Sequence, residues 1–277
     1  MQNADGVVLL FTPEVVVPLL LSLRVAGLAV LFVFLAGVPV ARLMAGRDFP
    51  GKDVVEAILA LPLVLPPTVV GFGLLFLFGK HGLLGRLLEK LWGVSVIFNW
   101  WGAVIASTVV AFPLLYQTVR ASFQAVDKNI ENAARTLGAS EWRVFQTVSL
   151  PLAWPGLVAG IVMAFARALG EFGATLMVAG NIPGRTQTVP LAIYAATESG
   201  DNRTALVLVV LMTLLSFIVI FWVNRWSKHR LKRWTLDDEM FNNTPIPGCS
   251  TYTNDRCSNQ PKRQKDRDRS NEHFCTE

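Results

Sequence analysis

Two ionisable residues of opposite charge, Arg167 and Glu171, stand four positions apart inside an otherwise apolar stretch of the chain. On a helix this spacing puts both side chains on one face, where they can form an ion pair. A charge in a membrane span costs roughly 2.5–3.5 kcal/mol on insertion scales, so intramembrane charges pair or face water. Two interpretations stay open: the residues line or gate the outer mouth of a polar path, or the pair holds neighbouring helices together. The cancelled charge favours the structural or gating role over direct binding of an anion.

One segment resembles a nucleotide-binding motif but departs from it at one position. Gly46 to Asp53, with the sequence GRDFPGKD, approaches the phosphate-binding pattern G-x4-G-K-[ST]. Asp53 replaces the hydroxyl residue that would bind Mg²⁺, and its carboxylate would face the phosphates. We interpret the segment as a turn built on Pro50 and Gly51, and we predict that the chain does not hydrolyse ATP.

The spacings typical of a metal site or a nucleophilic site do not occur in the sequence. The histidines are scattered, and the cysteines lie close to the C-terminus without the spacing of a zinc ligand set. We therefore predict no catalytic residue, no metal and no cofactor. The residues concerned are His81, His229, His273, Cys249, Cys257 and Cys275.

Five apolar runs account for most of the chain, which is 52% hydrophobic and only 16% charged over 277 residues. A helix needs about 20 residues to cross a hydrocarbon core of ~30 Å, and each run is long enough. The alternating pattern of a membrane barrel is not seen. The sequence predicts an all-α polytopic membrane protein with about five transmembrane helices, at residues 15–43, 57–79, 100–119, 151–178 and 205–223.

The Lys and Arg residues between these runs are unevenly divided, which predicts the orientation. The segments after the first, third and fifth runs carry most of them, so we expect the N-terminus outside and the C-terminus inside. The cytoplasmic set is Arg42, Arg47, Lys52, Arg120, Lys128, Arg135, Arg143, Arg225, Lys228, Arg230, Lys232 and Arg233, against Lys80, Arg86, Lys90, Arg185 and Arg203 on the other side.

Proline and glycine interrupt two of the runs. Proline kinks a helix because it removes a backbone hydrogen bond, and the freed carbonyl groups need protein partners or a wet cavity. The second run is therefore either a path-lining or hinge element or a merely kinked packing helix. The interrupting residues are Pro62, Pro66, Pro67, Gly71 and Gly73 in the second run, and Gly170, Gly173 and Gly180 in the fourth.

A polar insert, about residues 127–151, separates the third and fourth runs. Asp127 or Asn129 can cap a first short helix, and Gly138 can end it. A second short helix is expected to follow and to end at Leu150–Pro151, where the fourth run opens, because proline is tolerated in a first helical turn. The insert is thus predicted to be a pair of short helices joined to a membrane span.

The surface of this insert contains a shallow notch, because Ala134 and Gly138 are small and share one helix face. Two interpretations stay open. An amphipathic hairpin can lie on the bilayer surface, or it can dock to a cytoplasmic partner. The shortage of Lys and of large apolar residues favours docking.

The insert resembles the EAA loop in the permease subunits of ABC importers. Its pattern of Ala133-Ala134, three residues, Gly138, nine residues and Val148-Ser149-Leu150-Pro151 is similar to EAA-x3-G-x9-I-x-LP. In strict register the acidic position holds Asn132, and the carboxylate lies one residue earlier, at Glu131. One position rotates a side chain by about 100° on a helix, so which of the two meets the partner stays open.

The resemblance extends over about residues 15–230. The blocks LPLVLPPTVVGF (61–72), ARTLGASEWRVF (134–145) and FARALGEFGATLMVAGNIPGRTQTVPLAIY (165–194) are similar to those of molybdate-importer permeases. The resemblance implies a multi-pass protein of the cell inner (cytoplasmic) membrane that moves molybdate by alternating access. Sulfate, thiosulfate and tungstate importers are close relatives, and their substrates remain alternatives.

The same resemblance implies the partners and the working residues. We expect two copies of an ABC ATPase subunit, a periplasmic or extracellular oxyanion-binding protein that residues 181–194 would face, a second copy of this chain and membrane lipid, but no nucleic acid. ATPase coupling is assigned to Glu131, Asn132, Ala133, Ala134, Gly138, Arg143, Leu150 and Pro151. The path or gate candidates are Arg167, Glu171, Gly170, Gly173, Pro66, Pro67 and Gly71.

Three sections of the chain are expected: an extracytoplasmic N-terminus at 1–14, the permease domain at 15–230 and a disordered cytoplasmic tail at 235–277. The tail is too poor in apolar residues to offset its ordering entropy. A stand-alone secondary transporter would need internal repeats or a relay of buried charges, and a membrane enzyme would need a catalytic constellation. Neither is evident in the sequence.

Overall fold

The computed structural model describes residues 12–46, 49–80, 82–93 and 95–243, and over these ranges it is helical without strands. The predicted all-α class is confirmed. The elements are α1 (Pro13–Gly46), α2 (Lys52–Val64), α3 (Pro67–Phe78), α4 (Leu83–Trp92), α5 (Trp100–Gln124), α6 (Lys128–Thr136), α7 (Glu141–Val144), a π-helical turn (Phe145–Ser149), α8 (Leu150–Leu169), α9 (Gly173–Ala179), α10 (Val189–Glu198) and α11 (Asn202–Asn243).

Four helical stretches within the described ranges are long and apolar enough to cross a membrane. They are α1, α5, the continuous run Glu141–Leu169 and the first part of α11, Asn202–Phe221. Helices α2 and α3 meet at a bend of 112° and make a fifth span if the pair crosses together. The prediction of about five spans is therefore confirmed, but the second span is broken rather than kinked.

Two consecutive prolines explain the break between α2 and α3. Leu65 and Pro66 have extended backbones, with ψ of 143° and 136°, because a residue that precedes proline is pushed out of the helical region. Pro67 then begins α3, where a missing N–H leaves no helical hydrogen bond unmade. One proline would have kinked the helix, whereas two in succession end it and start another.

The fourth apolar run also differs from the single span predicted over 151–178. The helix begins at Glu141 and ends at Leu169, so Pro151 lies inside a continuous helix rather than at its start. After a break at residues 170–172, α9 follows as a separate short helix. The π-helical turn just before Pro151 widens the helix, which makes room for a ring that would otherwise collide with the carbonyl four residues earlier.

Helices α1, α5 and α8 form the centre of the fold. Small residues let their backbones approach: a Cβ at Gly37 would lie 2.8 Å from Cδ2 of Leu115, and a Cβ at Gly160 would lie 3.3 Å from Cγ2 of Val119. Lipid is as apolar as these side chains, so close packing rather than the hydrophobic effect holds membrane helices together. The three helices make a tight frame that carries the polar insert between α5 and α8.

The segment 181–194, which was predicted to be an extracytoplasmic surface, ends within helix α10. The chain turns at residues 183–186 and then becomes helical. Val189 is buried, and its N–H donates to Oγ of Ser22 in α1 at 2.7 Å. Leu191 is also buried. This segment is therefore fixed to α1.

The chain divides into two units, residues 1–229 and 230–277. In the second unit the described part is the end of α11, so this helix enters the segment 235–277 that the sequence assigns to a disordered tail. Residues 1–11 and 244–277 lie outside the described residues. Most of the predicted N-terminal section, the rest of the predicted tail and the three cysteines fall there.

Candidate functional site

Helix α6 is the first of the two short helices in the polar insert, and local hydrogen bonds define both of its ends. Asp127 is the capping residue, one of the two expected, and its side chain accepts from the N–H of Asn129 at 2.8 Å. Gly138 ends the helix with φ of 83°. Its N–H donates to the carbonyl of Arg135 at 2.9 Å, and the N–H of Ala139 donates to that of Ala134 at 3.1 Å. This pair of bonds is a Schellman motif, which favours glycine because of its left-handed backbone.

The apolar stripe of α6 faces away from the rest of the chain. Ile130, Ala133, Ala134 and Leu137 follow the i, i+3, i+4, i+7 spacing of one helix face. Ile130 is 48% exposed and Leu137 is 88% exposed. A Cβ at Gly138 would meet no atom within 4 Å, so the predicted notch is open, with a protruding leucine beside it. A helix that packs on its own chain buries such a stripe, and α6 does the opposite.

Glu131 is the polar residue of α6 that is turned inward instead. Glu131 is 7% exposed, and its Oε1 accepts from Nη2 of Arg42 at 3.1 Å and from Oγ of Ser149 at 2.5 Å. Asn132 is exposed and accepts from Arg135 at 2.8 Å. Of the two candidates for contact with a partner, Asn132 therefore lies on the outside and Glu131 does not.

Arg135 links α6 to α7. Its Nε and Nη2 donate to the two carboxylate oxygens of Glu141 at 2.6 and 3.2 Å. The hydrogen bond from Arg135 lowers the pKa of the Glu141 carboxyl, and the same bond raises the pKa of Arg135. Both groups stay charged at neutral pH, and a bidentate pair of this kind fixes the relative direction of the two short helices.

Helix α7 continues into α8 without interruption. Ser140 caps it by accepting from the N–H of Arg143 at 3.4 Å, and the N–H of Leu150 donates to the carbonyl of Phe145 across the π-helical turn. Leu150 packs on the core and Pro151 follows inside the helix, so neither lies on the exposed stripe, whereas Arg143 is exposed. The prediction that Leu150–Pro151 ends a helix is wrong, because the wider π-helical turn lets the helix continue past the proline.

The ion pair predicted in the fourth run is formed. Nη1 of Arg167 lies 2.6 Å from Oε2 of Glu171. Glu171 is only 2% exposed, and its Oε1 accepts from the N–H of Ala174 at 2.8 Å. The carboxylate therefore binds the guanidinium on one side and the first turn of α9 on the other, a favourable place for a negative charge. This geometry favours the structural interpretation of the pair.

The two helix breaks lie side by side. A Cβ at Gly71 of α3 would lie 2.8 Å from Cα of Ala174, and a Cβ at Gly173 of α9 would lie 3.1 Å from Cβ of Pro67. Glycine permits this close approach because it has no side chain. The structure thus brings the path candidates of the second and fourth runs together, including Pro66 at the first break and Gly170 at the second.

Several residues of these sites were not singled out from the sequence. The spacing of Ile130 and Leu137 was a usable signal, since an apolar stripe in a polar insert needs a partner. Arg42 gave no such signal, and neither did the ion pair of Arg120 with Glu56 at 2.6 Å, which joins α5 to α2. These pairs connect residues that are far apart in the chain.

Comparison with known proteins gives a consistent result. The family model described as "Binding-protein-dependent transport system inner membrane component" matches residues 37–233. The "Molybdenum transport system permease protein ModB" of Escherichia coli (strain K12) is 45% identical over 219 residues, which cover 77% of this chain and 95% of that protein. The protein of the same name from Haemophilus influenzae (strain ATCC 51907 / DSM 11121 / KW20 / Rd) is 42% identical over 222 residues, with 79% and 97% covered.

A solved structure resembles the fold at much lower sequence identity. It is the "Crystal structure of bacterial alginate ABC transporter in complex with alginate pentasaccharide-bound periplasmic protein", with a TM-score of 0.65 and 16% identity. The match covers 80% of this chain and 81% of that one. At this identity the likeness concerns the fold.

Proposed function

Because the chain belongs to the family of binding-protein-dependent transport system inner membrane components, we propose that it is the permease subunit of an ATP-driven importer for molybdate. The protein crosses the cytoplasmic (inner) membrane several times. It is a permease and not an enzyme, and ATP hydrolysis is carried by a separate ATPase subunit. Two relatives named for molybdenum transport, which align over almost their whole length, support the substrate.

The outward apolar stripe of α6 is the observation that carries the coupling role. Exposed apolar residues on a polar insert mark an interaction surface, and the acidic side chain that a solvated helix would expose is buried instead. In this proposal Asn132, Ala133, Ala134 and Gly138 contact the ATPase subunit, with Leu137 as the central apolar contact. Glu131 supports this surface from behind.

The continuous helix Glu141–Leu169 supports a direct route from this surface into the membrane. Arg143 lies on its exposed first turn, and Leu150 and Pro151 lie where it enters the core. A shift of the ATPase subunit against the insert would tilt α8 as a rigid rod. Alternating access needs an element with two arrangements whose balance the partner shifts.

The adjacent breaks of α2–α3 and α8–α9 are the proposed place of the path and its gate. Broken helices at membrane depth occur where the freed backbone groups are buried in protein or line a cavity. Pro66, Pro67 and Gly71 belong to one break, and Gly170 and Gly173 to the other. Arg167 and Glu171 are assigned to stabilising the second break rather than to binding the substrate. An arginine whose charge is neutralised by a carboxylate attracts an oxyanion only weakly.

A second copy of the chain, two ATPase subunits and an extracytoplasmic binding protein complete the proposed assembly. Helix α3 exposes large apolar side chains, with Phe72 at 60% and Phe76 at 77%, and a second copy or lipid would cover them. A two-fold axis would place both copies around one path. The insert lies on the cytoplasmic side, and α10 lies on the side that receives the oxyanion.

ATP-dependent uptake tests the proposal. The tagged chain is purified with its bound subunits and reconstituted with the binding protein, and labelled molybdate is followed with sulfate and tungstate as competitors. We expect a co-purified ATPase and molybdate uptake that requires ATP and resists excess sulfate. A chain that purifies alone and moves oxyanions without ATP would overturn the importer. If sulfate blocks molybdate uptake as strongly as tungstate does, the importer accepts oxyanions in general rather than molybdate specifically.

A further inference from the structure

Glu131 is the charged residue of α6 that points into the protein. It is 7% exposed, although its neighbours Asn132 and Ala133 are exposed. A carboxylate withdrawn from water needs compensating partners. It does not serve as the helix cap, because Asp127 already fills that role. The partners of Glu131 therefore show what the buried charge is for.

Those partners come from two other elements as well as from α6 itself. Arg42 lies near the end of α1 and donates to Oε1 at 3.1 Å, and Ser149 lies in the π-helical turn and donates to the same oxygen. Oε2 lies 3.6 Å from Nη2 of Arg135, one turn along α6. Glu131, Arg42 and Ser149 are named the clasp below. The clasp joins α6 to α1 and to the turn from which α8 begins.

Arg42 is itself held between two aromatic rings. Its Cζ lies 5.5 Å from the ring centre of Phe123 in α5 and 5.9 Å from that of Phe145 in the π-helical turn. Both distances are within the range of a cation–π contact. The clasp therefore also reaches α5, and four elements meet at one partly buried ion pair.

We propose that the clasp is a positioning device that makes α6 move as one body with α1 and α8 when the ATPase subunit moves. This inference rests on the proposed function. Without the clasp, α6 keeps its exposed stripe and its chain connections but loses its tie to α1. The Arg135–Glu141 pair would still hold α6 to α7, but an insert without its tie to α1 takes up more of the partner's movement and passes less of it on. Glu131 acts here through Arg42 and touches neither ATP nor the oxyanion.

The test separates binding of the ATPase subunit from coupling to it. Glu131→Gln keeps the size of the side chain but removes its charge. In the reconstituted importer we expect the Kd for the ATPase subunit to stay within about twofold, while the ATP hydrolysed per molybdate moved rises at least about fivefold, the lower end of typical coupling between sites. If the ATP hydrolysed per molybdate moved is unchanged in Glu131→Gln, the proposal is overturned. The same holds if this quantity rises only in proportion to a weaker Kd for the ATPase subunit.

Glu56→Gln is the matched control. Glu56 and Arg120 form a second ion pair between helices, with side chains 20% and 24% exposed, against 10% and 25% for Glu131 and Arg42. The hydrogen bond of that pair joins α5 to α2 and involves no residue of the insert. A general loss of stability would raise the ATP hydrolysed per molybdate moved in both variants. Loss of the positioning of α6 would raise it only in Glu131→Gln. An equal rise in both variants would assign Glu131 a structural role alone.

Hydrogen exchange of residues 128–136 in the purified chain gives a readout that does not require transport. The amides of α6 should exchange faster in Glu131→Gln and as in wild type in Glu56→Gln, and unchanged exchange in Glu131→Gln would refute the clasp. If Glu131→Gln does not assemble, Ser149→Ala removes a single hydrogen bond and is judged by the same two measurements. Failure of the wild-type chain to import any oxyanion with ATP would instead refute the proposed function, and the positioning role with it.

Discussion

Truncation of Leu137 to alanine tests the exposed stripe of α6 most directly. The residue is 88% exposed in the chain by itself, so Leu137→Ala should change the free energy of unfolding by less than about 0.5 kcal/mol. Burial of a leucine side chain against a partner contributes about 1.5–3 kcal/mol. Since 1.4 kcal/mol is a factor of ten in Kd, the variant should bind the ATPase subunit about 10- to 100-fold more weakly.

The assay is a titration of the ATPase subunit onto the chain in lipid nanodiscs, with the bound fraction read by fluorescence anisotropy. Leu83→Ala is the matched control, because Leu83 is 82% exposed and lies in α4, outside the insert. We expect this control to bind the ATPase subunit as the wild type does. Thermal unfolding of both variants checks that the fold is unchanged.

An unchanged Kd for Leu137→Ala would refute the role of Leu137 as the central apolar contact, because central, fully desolvated contacts are the ones whose truncation costs affinity. A loss of affinity in both variants would also contradict it. That result would mean that exposed apolar residues in general, and not the stripe of α6, govern the association.

Three further predictions concern packing and backbone geometry. Arg167→Ala should lower the Tm of the purified chain more than Arg167→Ala combined with Glu171→Gln, because an unpaired buried carboxylate costs about 3–5 kcal/mol; equal losses would mean that the two do not pair. Gly156→Ala should lower the Tm, because its Cβ would overlap a serine of α5 and overpacking costs about 1–3 kcal/mol. Gly27→Ala, with no atom within 4 Å of its new Cβ, should not lower the Tm, and a similar fall in both would contradict the packing. Gly138→Ala should destabilise the end of α6 by about 1–2 kcal/mol, because φ there is 83°; hydrogen exchange across 128–139 measures this, and exchange as in wild type would argue against the strain.

The class of the fold followed from composition and run length, because a helix is the only structure that satisfies its own backbone within one apolar segment. The ends of α6 also followed, since Asp127 and Gly138 act on backbone groups within a few residues of themselves. The pairing of Arg167 with Glu171 is of the same local kind. Their closeness in the chain could be read from their spacing, although Glu171 reaches Arg167 from beyond the end of α8 at Leu169 rather than from the same helix.

The form of the two broken helices could not be predicted in the same way. Prolines at 66 and 67 indicated a disturbance, but the bend of 112° and the independent course of α3 depend on what the second half packs against. Glycines at 170, 173 and 180 indicated an interruption of the fourth run, but not that the chain would leave the helix at residues 170–172 and begin the separate helix α9. At this break the buried Glu171 accepts from the N–H of Ala174 in the first turn of α9, and burial is a property of the whole fold.

The sequence by itself determined how many apolar segments are long enough to cross a membrane, where the insert lies between them and which small residues lie on its surface. It left undecided whether Glu131 or Asn132 faces the partner, because both positions belong to the same short helix and differ only by a rotation. The tertiary structure decided which of the two side chains is buried: Glu131 lies against Arg42, which is 89 residues away in the chain, and Asn132 stays exposed. A charge is buried where partners from other elements compensate it, and only the packed fold brings those partners together.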